Sequence, residues 1–210
     1  MKIVVSIVSF VAAFIGVQYA IDYSRELEVR NQIEQEFESI RQQAIGNGAG
    51  ENSLLSLKEI AINRSEERIN SIIGQEEREK FAAGTFIGFY LVNVRERSKY
   101  CKELGIDITP FIDEFKKTHK EEYEASLRIL SFDDSDIEQM YDLMSDQLNK
   151  VIDQDMRYIS KKNSVSIPQA CKLVSDNWFS LVPKMHLSLV HPTAYEVLMV
   201  SEKMFSNKSN

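Results

Sequence analysis

The most apolar stretch of the chain occupies residues 3–20 and directly follows the amino terminus. It reads IVVSIVSFVAAFIGVQYA and contains no charged residue. A transmembrane helix needs about 20 predominantly apolar residues, whereas the apolar core of a cleaved signal peptide usually has about 7–15. We therefore expect this segment to direct the rest of the chain into or across a membrane.

Two membrane-directed fates are open to this segment, and a buried core helix is the less favoured alternative. Signal peptidase prefers small residues at the last and third-last positions before its cut. A cut after Ala20 places Gln18 at the third-last position, and a cut after Ala13 places Val11 there. We therefore expect an uncleaved signal anchor over residues 1–21, with a cleaved signal peptide as the alternative. The charges that flank the segment weakly favour an amino terminus on the cytoplasmic side and the bulk of the chain on the outer side of the membrane.

Beyond this segment the apolar positions recur every three or four residues, which is typical of amphipathic helices. Residues 21–45 carry one such stripe, formed by Tyr23, Leu27, Ile33, Phe37, Ile40 and Ala44. We expect this charged helix to pack on the rest of the domain, with a short coiled coil as the alternative. The glycines of residues 46–50 should end it, because glycine is unfavourable inside helices.

The same periodicity predicts an all-α protein with about six or seven helices. The later helices are expected over residues 54–73, 76–103, 109–130, 134–159, 166–181 and 192–205. Residues 81–94 are apolar on nearly every side and indicate the central buried helix, with a second membrane span as the weaker alternative. We expect the helical bundle domain over residues 51–206, after a charged juxtamembrane helix and glycine loop over residues 22–50.

Residue types at the predicted helix starts match the known capping preferences. Thr109 before Pro110 resembles a cap followed by proline in the first turn. Asp133 or Asp134 is expected to cap the helix that follows, and Ser166 or Ile167 should open the next one. Acidic residues favour helix amino termini, which explains the aspartates near Asp133 without a calcium ion.

Composition narrows the range of functions. The 210 residues carry a net charge of −7, with 43% hydrophobic and 27% charged residues. Nucleic-acid binding requires clustered Lys and Arg, whereas here the basic residues alternate with Glu and Asp. We therefore expect no nucleic-acid partner. No motif for a phosphate-binding loop, a nucleophilic serine or a zinc protease is present, so we expect neither catalysis nor a cofactor.

Cys101 and Cys171 are the only cysteines. In an exported domain two cysteines predict a disulfide, and helices that lie side by side would bring these two positions together. Closing a loop of this length would stabilise the fold by roughly 4 kcal/mol in the chain-entropy model. In the cytoplasm, two buried thiols would be the expectation instead.

The three histidines do not indicate a metal site by their spacing. His119 and Glu122 are expected to form a surface ion pair. Of His186 and His191, one should pack and the other should cap the helix that begins at Pro192. A ligand or partner patch formed by Trp178, Met185, His186 and His191 is a further hypothesis, with core packing as its alternative.

Several motifs in the second half of the chain resemble those of a broad protein type. They are YLVNVRERSKYCKELGID at residues 90–107, FIDEF and then His119, QACKLVSDN, and MHLSLVHPTAYEVLM. Together they resemble uncharacterised exported helical proteins of Gram-negative bacteria, over residues 90–199. The most specific feature is the tyrosine–cysteine pair combined with the later alanine–cysteine pair. The resemblance implies an envelope location and a disulfide, and it implies no particular activity.

These observations favour a non-catalytic protein of the bacterial inner membrane whose domain lies in the periplasm. A soluble periplasmic protein after signal cleavage is the alternative. We expect it to act as a scaffold, adaptor or accessory subunit, with another envelope protein or a second copy of itself as partner. A periplasmic inhibitor or immunity protein is one alternative function, and a small-ligand-binding or sensor domain is another.

Overall fold

The protein is all-helical in the part that the structure, a computed structural model, describes, namely residues 26–46 and 54–208. This confirms the predicted all-α class. In these ranges there are eleven α-helical segments: α1 (Glu26–Gly46), α2 (Leu54–Ser71), α3 (Gln75–Leu91), α4 (Arg97–Glu103), α5 (Thr109–Thr118), α6 (Lys120–Leu130), α7 (Asp134–Asn163), α8 (Ile167–Asp176), α9 (Trp178–Leu181), α10 (Leu187–Val190) and α11 (Pro192–Lys208).

The predicted membrane segment of residues 3–20 lies outside the described residues. None of the helices within 26–46 and 54–208 combines the length and the apolar character needed to cross a bilayer. Residues 81–94, for which a second span was the weaker alternative, are buried within the bundle except for Tyr90. That stretch is apolar because other helices cover it on all sides.

The central helix of the bundle runs from Gln75 to Glu103 through α3, one π-helical turn at Val92–Glu96, and α4. Its middle is buried from Phe81 to Phe89 without a break, as predicted for the central helix. Helices α6 and α11 make its most extensive contacts, and α7 packs along the π turn. Gly105 ends the helix in a left-handed conformation, with a φ of 76°, that other residues rarely adopt.

Helix α1 packs on the bundle, as expected from its apolar stripe. Ile33, Phe37 and Ile40 are buried in the same hydrophobic core as the central helix. Their neighbours lie in α2 and α7. The periodicity of residues 21–45 therefore reflects packing within one domain where the structure describes it.

Two of the predicted caps are confirmed, and one is corrected. Asp133 and Ser166 each form a capping box at the start of α7 and α8. Thr109 is not the cap of α5. Asp107 instead accepts hydrogen bonds from the amide and hydroxyl of Thr109, at 2.8 and 2.6 Å. An aspartate two residues earlier thus fixes the turn that leads into the helix.

The predicted number of helices is too low because three expected helices are divided and α10 was not expected. The π turn at Val92–Glu96 divides the helix expected over 76–103. The helix expected over 109–130 breaks at His119, which has a φ of −110° and turns its ring into the core. The helix expected over 166–181 breaks at Asn177, whose side chain donates to the carbonyl of Leu173. A 3-10 turn at Val182–Met185 then joins α9 to α10.

Candidate functional site

The sulfur atoms of Cys101 and Cys171 lie 2.09 Å apart, which is disulfide bonding distance. Cys101 lies in α4 and Cys171 in α8, and both side chains are fully buried. The pair connects the central helix to the carboxyl-terminal third of the chain across 70 residues. Its position in the core supports a structural role, because a buried pair is poorly accessible to a redox partner.

A buried ion pair lies about one helical turn before Cys101. An Nη1 atom of Arg97 is 2.6 Å from Oδ2 of Asp155, and both side chains are almost completely buried. The same guanidinium donates to Oδ1 of Asn93 at 3.1 Å and lies over the ring of Phe111. Buried ion pairs are retained only where further contacts satisfy both charges. Arg97 therefore has a fixed structural role between α4 and α7.

Glu96, the neighbour of Arg97, is also buried and also bound by α7. It accepts hydrogen bonds from the hydroxyl of Tyr141 at 2.7 Å and from the amide of Asn149 at 2.8 Å. Burial and the hydrogen bond from its hydroxyl to Glu96 raise the pKa of Tyr141 well above its usual range. The carboxylate thus has two partners from its own chain, and the pair of hydrogen bonds fixes the π turn against α7.

The third buried polar group, which we call the histidine cluster, consists of His119, Glu122 and His186. Nε2 of His186 lies 3.3 Å from Oε1 of Glu122, and the two histidine rings stack with centroids 5.4 Å apart. Burial lowers the pKa of His119 to about 4 and raises the pKa of Glu122. The expected surface pair of His119 and Glu122 is therefore wrong, because both side chains are buried and His186 is the partner of Glu122.

The histidine cluster contains a chain of contacts that resembles a nucleophile, a base and an orienting acid. Oγ of Ser188 lies 2.9 Å from Nδ1 of His186, whose other ring nitrogen faces Glu122. However, Nδ1 also accepts the backbone N–H of Ser188 at 3.3 Å. His186 is thus the N-cap of α10, and its lone pair is already used to start that helix. This geometry favours a cap held in place by a carboxylate over a catalytic base.

The roles expected for His186 and His191 are partly confirmed. One histidine does pack and one does cap, but the capped helix is α10 and not the helix that begins at Pro192. His191 is buried and ends α10, and its carbonyl accepts the amide of Tyr195. In the described ranges no group of three or more His, Cys, Asp or Glu side chains is placed to hold a metal ion.

The four residues of the hypothetical ligand or partner patch lie in different environments. Met185 and His191 are buried in the core, and His186 belongs to the histidine cluster. Trp178 is half-buried and contacts the exposed ring of Phe179 edge to face. Phe179 itself is 62% exposed. A ligand or partner role for the four residues stays a prediction.

The structure also contains a surface pocket that the sequence did not indicate, and we call it the Ile73 pocket. It has a volume of about 350 Å³ and lies between the α2–α3 connection and α11. Ile73 is completely exposed and Val200 is about half exposed. The lining residues are Ile73, Gln75, Arg78, Glu79, Glu196, Val197 and Val200.

Ile73 is exposed because α2 ends earlier than expected. The helix stops at Ser71, so Ile72 and Ile73 lie in the connection and point in different directions. Ile72 packs against a small core cluster with Ile69, whereas Ile73 faces solvent. Gly74 follows this connection in an extended conformation and is the N-cap of α3.

The charged residues of the Ile73 pocket include one cation and one anion without ion pairs to the described part of the chain. Arg78 and Glu196 both line the pocket, and neither forms a salt bridge with any described residue. Nε of Arg78 is buried. Glu79 accepts a hydrogen bond from Gln75 on the same helix. The pocket thus combines exposed apolar surface with charges of both signs.

Neither protein-family models, nor curated proteins, nor solved structures contain a match to this chain. The candidate sites are therefore interpreted from their own geometry.

Proposed function

We propose that this chain is a non-catalytic protein of the bacterial envelope that acts through protein–protein interaction, as a scaffold, adaptor or accessory subunit. The observation that carries the proposal is the Ile73 pocket. An isoleucine that is completely exposed beside a half-exposed valine is unfavourable in water, and a partner that covers both would remove that cost.

The buried polar groups favour interaction over catalysis. Arg97, Glu96 and Glu122 each have partners within the bundle that account for their burial. Such groups fix the packing of α4, α6 and α7. The Ile73 pocket is different, because two of its charged side chains have no ion pair with a described residue and are available to another molecule.

The envelope location rests on two independent features. Residues 3–20 have the length and composition of a membrane-directing segment. The Cys101–Cys171 sulfurs lie at bonding distance, and disulfides persist mainly in oxidising compartments such as the periplasm. Both features favour a domain on the outer face of the inner membrane.

Small-ligand binding is a second candidate function, favoured by the volume of the Ile73 pocket. Ligand pockets usually measure about 300–1,000 Å³ and combine apolar walls with a few polar groups. The pocket falls at the lower end of that range.

Photo-crosslinking in intact cells tests the proposal. A photoreactive amino acid replaces Ile73 in the full chain, and a matched chain carries it at Leu189, which is 68% exposed and lies outside the pocket. We expect the Ile73 position to give a defined protein adduct that the Leu189 position does not give. The absence of any protein adduct at Ile73 would contradict the proposal and favour the small-ligand function.

Thiol trapping in the same cells tests the location. We expect the protein to be membrane-associated, with Cys101 and Cys171 oxidised. Its band should then shift on a gel with the thiol reagent only after reduction. Thiols that react freely after lysis would place the domain in the cytoplasm and would contradict the envelope location.

A further inference from the structure

The Ile73 pocket has an arrangement of charges that suits only certain partners. Arg78 on α3 and Glu196 on α11 both line it, and neither has an ion-pair partner among the described residues. A strongly basic partner would place like charge against Arg78. A strongly acidic partner would place like charge against Glu196 and Glu79. The best partner therefore carries one charge of each sign beside apolar side chains.

A second copy of this chain has that surface. In a two-fold dimer the same patch lies on both sides, so each contact between two different residues occurs twice. Arg78 of one copy can then face Glu196 of the other, and the reciprocal pair forms as well. The apolar residues Ile73, Val197 and Val200 lie in the same patch and would be covered by their counterparts.

We propose that the Ile73 pocket is a homodimer interface, in which two copies dock about a two-fold axis and exchange two Arg78–Glu196 ion pairs. This inference rests on the proposed function, because it names the partner of the same surface. The chain as a whole carries a net charge of −7, which opposes self-association. The pocket is a place on its surface where opposite charges are available to offset that repulsion.

The interface is expected to be weak in solution. Contacts that bury less than about 1,200 Å² in total are typically transient, and a single small pocket falls in that class. We therefore expect a dissociation constant in the micromolar range. Anchoring both copies in one membrane through residues 3–20 would raise their effective concentration and favour the dimer.

Charge reversal provides the decisive test, using sedimentation velocity on the purified full chain in detergent. Arg78→Glu alone sets two carboxylates against each other at both reciprocal contacts, and Glu196→Arg alone sets two guanidinium groups against each other there. Each single variant should therefore be monomeric. In an equimolar mixture of the two variants, both reciprocal contacts join a carboxylate to a guanidinium group, so the mixture should form a heterodimer. A mixture that stays monomeric would contradict the proposed ion pairs. The double variant restores opposite charges at both contacts and should dimerise as the unmodified chain does.

The apolar part of the interface is tested by Ile73→Ser. Loss of the buried aliphatic surface should weaken dimerisation at least about tenfold. Leu189→Ser is the matched control, because Leu189 is also apolar and exposed but lies outside the pocket. Both side chains are exposed, so circular dichroism should report an unchanged fold. The control should dimerise normally.

Two results would overturn the inference while leaving the proposed function intact. One is a monomer at every concentration, combined with an Ile73 photo-adduct to a different protein. The other is a dimer that neither charge reversal nor Ile73→Ser weakens, which would place the interface elsewhere. A monomer without any protein adduct at Ile73 would overturn the proposed function as well.

Discussion

The central helix forms two arginine–carboxylate pairs with α7, one outside the bundle and one inside. Arg95 pairs with Glu138, and their side chains are 42% and 54% exposed. Arg97 pairs with Asp155, and theirs are 1% and 0% exposed. Residues two apart on a helix point to nearly opposite sides, so these two arginines reach solvent and core respectively. The two pairs therefore differ mainly in their surroundings.

Burial changes what such a pair contributes. In water the attraction is screened, and the side chains lose conformational freedom to form it. In the core both charges have lost their hydration, so each depends on the other and on neighbours such as Asn93. An exposed pair can thus be removed with little effect, whereas half of a buried pair cannot.

Among variants of these two pairs, Asp155→Ala should lower the free energy of unfolding the most. It leaves the guanidinium of Arg97 buried without its carboxylate, which typically lowers the free energy of unfolding by about 3–5 kcal/mol. Urea denaturation followed by circular dichroism measures the loss. The double variant Arg97→Met with Asp155→Leu is the control, because it removes both charges and should recover most of the stability. A loss below about 1 kcal/mol for Asp155→Ala would contradict a dry site for this pair.

The histidine cluster lies between these two extremes of exposure, because His119 and Glu122 are buried and His186 is partly exposed. Its contribution to the free energy of unfolding should depend on pH. The pKa of His119 is lowered to about 4 by burial, so the unfolded chain binds a proton at this residue before the folded protein does. Stability should therefore fall as the pH drops from about 6.5 towards about 4. The raised pKa of Glu122 acts in the opposite direction, since the folded protein binds that proton first.

His119→Phe tests this coupling, because phenylalanine keeps an aromatic ring against Phe115 and cannot be protonated. We expect the loss of unfolding free energy between about pH 7 and pH 4 to be smaller by about 2–3 kcal/mol than in the unmodified chain. Glu122→Gln is the matched control and should steepen the loss, because it removes the opposing group. Identical pH profiles for all three chains would rule out a role of His119 in acid stability.

The inner arginine could not be distinguished from the outer one by sequence. Both lie in the segment RERSK after the apolar residues 81–94, and such alternating charges indicate a solvated face. The central helix itself was predictable because its middle is apolar on every side. Burial of Arg97 depends on Asp155, which lies far away in sequence and has no local pattern that marks it as a core residue.

The helix break at His119 and the exposure of Ile73 could not be predicted from the sequence either. His119 interrupts a helix without glycine or proline, because its ring packs between Phe115 and Phe89 in the core. Such a break depends on tertiary packing, which overrides local propensity. The exposure of Ile73 follows from the end of α2 two residues earlier than the apolar pattern indicated. Prediction of caps succeeded better, since Asp133 and Ser166 act on residues within their own turn.

Among these variants, Glu138→Ala should lower the free energy of unfolding the least. Exposed pairs contribute about 0–1 kcal/mol to the free energy of unfolding, and salt weakens them further. Arg95 also lies over the ring of Tyr141, 5.5 Å from its centroid, so it keeps a contact when Glu138 is removed. A double-mutant cycle of Arg95→Ala and Glu138→Ala, measured by urea denaturation at low and high salt, isolates the pair. We expect a coupling energy below about 1 kcal/mol that decreases with salt. A coupling as large as the loss in Asp155→Ala would show that helix geometry, and not burial, determines the strength of both pairs.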